Sequence, residues 1–146
     1  MIKAEDLRIG DLVRVNKNDS IKNGLIGKVT DIDSLREYKE KKGAITLNTI
    51  EDDGWYWGIW CCDIEPIPLT PEILEKNGWK KRTEGWYFMM ISKYMYLSVE
   101  FGYENGIRVF LKRTTDGLYV KLNIANNVHE LQHILWVLGK DANLKV

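Results

Sequence analysis

The segment EPIPLTP (residues 65–71) contains all three prolines of the 146-residue chain. Proline has no backbone N–H, so it cannot continue the ladder of a central strand or the interior of a helix. The sequence patterns on the two sides of the segment also differ. We therefore predict a division into two domains, residues 1–68 and residues 69–146.

A short helix is predicted directly after this boundary. Thr70 is a natural N-cap and Pro71 a natural first helical residue. Asn77-Gly78 is a typical helix stop. These signals predict a helix over residues 71–76.

The first domain is predicted to be a small SH3-like β-barrel. Apolar residues alternate in short runs with polar turns between them, and such spacing is typical of small barrels. The polar segment SLREYKEKKG (34–43) is predicted to be an exposed helical turn or a loop. The strand candidates are RIGDLVRV (8–15), GLIGKVTDI (24–32), AITLNTI (44–50) and WYWGIWCCDI (55–64).

The second domain is predicted to be an antiparallel β-meander. Asn105-Gly106 and Asp116-Gly117 are strong hairpin turn signals, and each strand carries one apolar face that needs a cover. The short helix and a closing helix over roughly 128–139 supply that cover, which makes the fold class α+β. The strand candidates are WYFMMI (86–91), YMYLSVEF (94–101), IRVFLKR (107–113) and LYVKLNI (118–124).

The charge balance excludes a strongly basic protein. The chain has 21 Lys+Arg and 21 Asp+Glu; residues 1–68 hold 10 basic and 13 acidic residues, and residues 69–146 hold 11 and 8. The sequence contains neither a membrane-spanning apolar run nor the apolar core of a signal peptide. The adjacent Cys61 and Cys62 suit a reducing cytoplasm. The sequence also lacks a phosphate-binding glycine loop, and we expect no cofactor and no membrane partner.

HELQH (129–133) matches the H-E-x-x-H pattern of zinc peptidases in letters. His129 and His133 are the only histidines, so a third histidine ligand is impossible. Glu130 fits the last position of a capping box that begins at Asn127. A helical projection places both histidines opposite the apolar stripe, so they face solvent or a contact other than the sheet. Catalytic zinc is therefore a remote alternative.

The aromatic strand WYWGIW (55–60) is the first candidate binding surface. Regular alternation predicts that Trp55, Trp57 and Ile59 share one face and that Trp60 lies on the other. A small barrel absorbs one such face, so the other covers the second domain, meets a partner or lines a ligand site. The acidic run 51–53 beside it favours a cationic or peptide ligand.

A weaker candidate is a basic face on the second domain. Its strands mix cations with aromatic residues, and the expected arrangement is a solvated outer sheet face. The cations are Lys80, Lys81, Arg82, Arg108, Lys112, Arg113 and Lys121.

Two resemblances extend this reading. RIGDLVRV followed by GLIGKVTDI resembles SH3-like barrels of the KOW type, which often bind RNA, DNA or ribosomal partners; Arg14 and Lys28 occupy the matching basic positions. DIEPIPLTPEILEKNGWKK (63–81) and VHELQHILWVLGK (128–140) resemble uncharacterised proteins of phages and mobile elements in gut Bacteroides-type bacteria.

That second family usually has Phe where this chain has Trp79, and Gln and Asn where it has Glu130 and His133. The resemblance implies a cytoplasmic accessory protein encoded by a phage or mobile element. It also implies that the Glu and second His of HELQH lie outside the family pattern.

The leading hypothesis is a non-enzymatic protein that binds a host or phage macromolecule, with a protein as the expected partner. The alternative is nucleic-acid binding through the barrel, and the oligomeric state stays open. The predicted contact surfaces are the aromatic strand and the exposed side of the closing helix: Trp55, Trp57, Trp60, His129, Gln132, His133 and Trp136.

Overall fold

A computed structural model describes residues 2–17, 23–51 and 54–146. In these residues the protein consists of two five-stranded antiparallel sheets and two short α-helices, which fits the α+β class. The chain divides into two compact units, residues 1–67 and residues 68–146.

The N-terminal unit contains one sheet with the strand order β4-β3-β2-β1-β5. Its strands are β1 (Leu12–Val15), β2 (Ile26–Tyr38), β3 (Lys41–Thr49), β4 (Trp55–Trp60) and β5 (Ile64–Pro66). A 3₁₀ turn, Cys61–Asp63, connects β4 to β5. β4 and β5 are the two edges of the sheet, so the described residues do not close into a barrel, and the predicted barrel is not confirmed.

The prediction of a helical turn or loop over residues 34–43 is wrong. This segment forms the ends of β2 and β3, which continue as a two-stranded ribbon and turn at Lys39 with φ 55°. Glu37 lies opposite Lys42, and their charged groups are 3.4 Å apart. Cross-strand pairs of opposite charge stabilise a ribbon that is exposed on both sides. Because these residues are polar, an alternation of apolar residues does not reveal the two strands.

The core of the N-terminal unit lies on one side of its sheet. Buried apolar residues from all five strands, the 3₁₀ turn and the N-terminal segment pack together there, and Tyr56 packs against them. The buried members are Ile2, Leu7, Val13, Val15, Val29, Ile45, Leu47, Ile59, Cys61 and Ile64.

The C-terminal unit confirms the predicted antiparallel meander and adds one strand, β6. The strand order is β10-β9-β8-β7-β6. Its elements are α1 (Pro71–Lys76), β6 (Lys80–Thr83), β7 (Trp86–Ser92), β8 (Met95–Glu100), β9 (Arg108–Arg113), β10 (Tyr119–Ile124) and α2 (Val128–Val137).

Local capping signals fix the start of both helices. The Thr70 hydroxyl accepts a hydrogen bond from the backbone N–H of Ile73 at 3.4 Å, and Pro71 is the first residue of α1. The Glu130 carboxylate accepts one from the backbone N–H of Asn127 at 2.9 Å. The predicted helix over 71–76 and the predicted cap by Glu130 are therefore confirmed.

The helices lie on one side of the C-terminal sheet. The Tyr87 hydroxyl donates to Glu75 of α1 at 3.2 Å, and the row of Tyr87, Val99 and Val109 is buried on that side. The opposite side of the sheet carries the alternate residues of each strand.

Asn126 joins three parts of the C-terminal unit. Its side chain accepts a hydrogen bond from the backbone N–H of Ile107 at 2.9 Å. Its carbonyl accepts one from the backbone N–H of Leu69 at 2.8 Å. The start of the unit, the β8–β9 connection and the approach to α2 therefore meet at one residue.

Candidate binding surfaces

The exposed face of the aromatic strand consists of Trp55 and Trp57, with 56% and 74% of their surface accessible. The next residue, Gly58, has φ +64° and interrupts the regular pairing between β3 and β4. Because of this bulge, both Tyr56 and Ile59 reach the core. The prediction that Ile59 shares a face with Trp55 and Trp57 is therefore wrong, since alternation resets at the bulge.

Trp60 lies apart from the exposed pair and is half-buried. The Arg36 guanidinium lies over its ring, 5.3 Å from the centroid. A Cβ added to Gly58 would lie 3.1 Å from the same guanidinium. Glycine thus leaves room for Arg36 to cover Trp60. Of the acidic run 51–53, Asp52 and Asp53 lie outside the described residues.

Of the four α2 residues that are predicted to be exposed, two are accessible and two are buried. Trp136 is exposed (61%), and His133 is half-buried. His129 and Gln132 are buried, so the prediction of a solvent-facing surface is wrong for these two. The segment after the helix folds back on it, and the Gln132 amide donates to the Ala142 carbonyl at 2.8 Å.

The HELQH segment lies in the first two turns of α2. The rings of His129 and His133 meet edge to face, with centroids 5.8 Å apart. Glu130 binds the helix N-terminus. Among residues 2–17, 23–51 and 54–146, no three His, Cys, Asp or Glu residues are grouped so that they could hold a metal ion.

The side of the C-terminal sheet opposite the helices, here called the open face, is built from three rows of residues that cross the strands. Its middle row runs Lys80, Phe88, Ser98, Phe110 and Lys121. The rows on either side run Trp86, Glu100, Arg108 and Ile124, and Met90, Tyr96, Lys112 and Tyr119. Aromatic and cationic side chains make up most of the middle row and of the Met90 row, and half of the Trp86 row.

A buried carboxylate lies at the centre of the open face. The Glu100 side chain is 4% exposed and forms an ion pair with Lys112, at 2.5 Å between Oε1 and Nζ. The hydroxyls of Ser98 and Tyr103 each donate to Glu100 at 3.0 Å. The hydrogen bond to Glu100 raises the pKa of Tyr103 above its ordinary value, and burial adds to the shift.

Three aromatic rings surround the Lys112 ammonium. Its nitrogen lies 4.8 Å from the ring centroid of Trp86, 5.0 Å from that of Phe110 and 5.8 Å from that of Tyr119. A cation within about 6 Å of a ring face is attracted by the ring quadrupole. Glu100 and Lys112 therefore fix the positions of the rings from beneath.

Further aromatic contacts continue this surface. Phe88 and Tyr96 meet edge to face at 6.0 Å, and Arg82 donates to the Tyr96 hydroxyl at 3.3 Å. Phe110 and Tyr119 meet in the same way at 5.6 Å. The Arg108 guanidinium lies 3.8 Å from the centroid of the Tyr103 ring.

The sequence signals for the open face are visible in retrospect. The cations of this face are evident in the sequence, and the sequence predicts a solvated outer face for them. In the sequence of β8 the polar residues Tyr96, Ser98 and Glu100 alternate with the apolar residues Met95, Leu97 and Val99, which is the pattern of an outward side. The carboxylate is nevertheless buried, because Lys112 of the next strand lies across the face and neutralises it.

The N-terminal unit has a cleft of about 460 Å³, lined in part by Cys61, Cys62, Lys42 and Glu5. Burial raises the pKa of both thiols above their ordinary value. A hydrogen bond with Asp63 raises the pKa of Cys62 further. A raised pKa disfavours the thiolate, so neither cysteine is activated as a nucleophile.

No helix in the described part of the chain is both long and apolar enough to cross a membrane. No protein-family model matches the chain, and neither does any curated protein or solved structure. The geometry described above therefore carries the functional argument by itself.

Proposed function

We propose that this protein is a non-enzymatic binding protein that contacts a protein partner through the exposed pair Trp55 and Trp57. The main observation behind this proposal is that two tryptophans on the same side of β4 are more than half exposed. Exposed apolar side chains that lie together mark interaction sites, and tryptophan is enriched among the residues that dominate binding energy.

The local structure supports this proposal, because the pair lies on a strand that packs into the core through its other residues. Tyr56 and Ile59 anchor β4 in the core on the opposite side. The bulge at Gly58 allows Ile59 to face the core while Trp57 stays exposed. A backbone that is already ordered before binding loses little conformational entropy when a partner arrives.

The proposed source is a phage or mobile element of gut Bacteroides-type bacteria, and the proposed location is the cytoplasm. Support comes from the resemblance of the sequences of residues 63–81 and 128–140 to proteins of such elements. We also propose that the N-terminal sheet is an SH3-like barrel. Its strand order, with β1 between β2 and β5, and the 3₁₀ turn before β5 support this assignment.

The test of the Trp pair is a double substitution, Trp55→Ser/Trp57→Ser. The tagged protein is purified from cells of its native host, and the captured partner is then purified and titrated by calorimetry. The expected result is at least tenfold weaker binding, as for a central hot spot.

The matched control is Ile9→Ser/Leu35→Ser, which removes two other exposed apolar side chains from the same unit. Equal binding by both double variants, with both folds intact by circular dichroism, would contradict the assignment of the Trp pair. The alternative surface at Trp136 is tested in the same titration with Trp136→Ser.

A further inference from the structure

We propose that the open face of the C-terminal sheet is a separate site for single-stranded nucleic acid. This proposal is independent of the Trp pair, because it uses other residues in the other unit. It rests on three properties of the open face: its charge, its aromatic rings and the buried ion pair that contacts those rings.

The charge of the open face is strongly positive although the whole chain is neutral. Its three rows include four cations, Lys80, Arg108, Lys112 and Lys121, against the single carboxylate of Glu100. Arg82 of β6 adds a fifth cation beside them through its hydrogen bond to Tyr96. The face therefore carries a formal charge of five minus one, or +4. Such a concentration of cations is complementary to a phosphate backbone.

The exposed cations lie at the margins of this face. Lys80 and Lys121 are exposed and stand at opposite ends of the middle row, and neither forms an ion pair with a described residue. Five strands with spacings of about 4.8 Å separate these ends by roughly 19 Å. A single-stranded nucleic acid that crosses the sheet along this row would contact a cation at each end.

Aromatic rings lie between the two cations. Phe88 lies in the row between them, and Trp86, Tyr96 and Tyr119 lie in the two flanking rows. Tyr119 is 65% exposed, and Trp86, Phe88 and Tyr96 are half-buried. Every nucleobase has a π-face, so such rings accept bases without a strict sequence requirement. A four-stranded sheet can stack two or three bases in this way, and a sheet of five strands offers a surface of similar extent.

The buried ion pair connects the charge of this surface to its aromatic rings. A buried ion pair adds little net stability compared with apolar packing. Here it holds Lys112 within reach of three rings and keeps those rings in place. A duplex is a poorer ligand than a single strand, because its bases are already stacked on each other.

The experiment measures binding of the full chain to fluorescein-labelled oligouridylate and oligothymidylate by fluorescence anisotropy at several salt concentrations. Three exposed cations (Lys80, Arg82 and Lys121) predict a slope of log affinity against log salt of about −2 for a single strand. The two oligomers distinguish RNA from DNA as the source of the shared chemistry.

Two variants separate charge from stacking. Lys80→Gln/Lys121→Gln is expected to reduce the slope to about −0.7. Tyr119→Ala is expected to weaken binding about tenfold with little change in slope, because a stacked base is lost. Lys39→Gln/Lys145→Gln removes the same charge from exposed positions outside the open face and is expected to leave both values unchanged.

Three outcomes overturn the proposal. The first is no binding at low salt. The second is equal affinity for a duplex of the same length or for heparin, with no effect of Tyr119→Ala, which indicates a general polyanion contact. The third is an equal loss in the two lysine double variants. Circular dichroism verifies that each variant is folded, and capture of the protein partner through Trp55 and Trp57 is unaffected by any of these results.

Discussion

The two sheets of this protein have the same number of strands and the same antiparallel pairing, but they use their second faces differently. The N-terminal sheet packs one side on an apolar core and presents two tryptophans outward. The C-terminal sheet has helices on one side and a charged aromatic network on the other. The exposed tryptophans are single side chains on a stable strand, whereas the network is a second small core built from polar groups.

This difference predicts different responses to substitution. A solvent-facing Trp makes little contribution to folding, so its replacement mainly affects binding. Residues of the open face contribute to both, because Glu100 is buried and hydrogen-bonded to three side chains. The comparison can therefore be tested by measuring stability in each unit separately.

The largest expected effect is that of Glu100→Ala. The change leaves Lys112 as a mostly buried charge without its carboxylate, and breaking such a pair costs about 4 kcal/mol. Hydrogen exchange measured by mass spectrometry should show the loss of protection in β8 and β9 and not in β3. The double variant Glu100→Leu/Lys112→Met should recover most of the loss, since it removes both charges. A loss of under about 1 kcal/mol for Glu100→Ala would show that the network does not act as a core.

A smaller effect is expected in the N-terminal unit from Gly58→Ala. Left-handed backbone costs a residue with a Cβ about 1–2 kcal/mol, and the Arg36 side chain must also move. Urea denaturation with hydrogen exchange should assign the loss to β3 and β4. Gly117→Ala has a similar φ of +71° with open space around the Cβ, so it measures the backbone strain alone. An unchanged stability for Gly58→Ala would mean that the bulge is not required.

The smallest effect is expected on the helix-covered side of the C-terminal sheet, for Trp79→Phe. Trp79 is buried, and its indole N–H has no hydrogen-bond partner among the described residues. The smaller ring loses contacts, but it also removes a donor that is unsatisfied at a cost of about 1–3 kcal/mol. The two terms oppose each other, so urea denaturation should show a net change within about 1 kcal/mol. Tyr87→Phe is the control: it loses a real hydrogen bond to Glu75 and should be destabilising.

Much of the fold could be predicted from local signals. Thr70 and Pro71 define the start of α1, and Asn127 and Glu130 define the start of α2, because caps act over a single turn. Leu97 and Val99 of β8 and Val109 of β9 are buried on the face that the period-two pattern of apolar residues predicts. The ribbon at 34–43 was missed because its pairing depends on charges from two strands that are far from any apolar core.

The binding surfaces were harder to predict, since they depend on neighbours across strands. The exposure of Trp55 and Trp57 agrees with an outward aromatic strand, but the bulge at Gly58 is not visible in regular alternation. His129 and Gln132 are buried because the segment after α2 returns to the helix. The burial of Glu100 cannot be predicted from the sequence of β8 alone, because it depends on the ion pair with Lys112 of the next strand.

The junction at Asn126 has a consequence for the way the C-terminal unit opens. The amides of Leu69 and Ile107 are 38 positions apart in sequence, yet both donate to the same residue. A local fluctuation that displaces Asn126 releases both at once, so the two amides should share one opening rate and lose protection in step. One exposed asparagine thus couples the hydrogen exchange of two segments that are distant in the sequence.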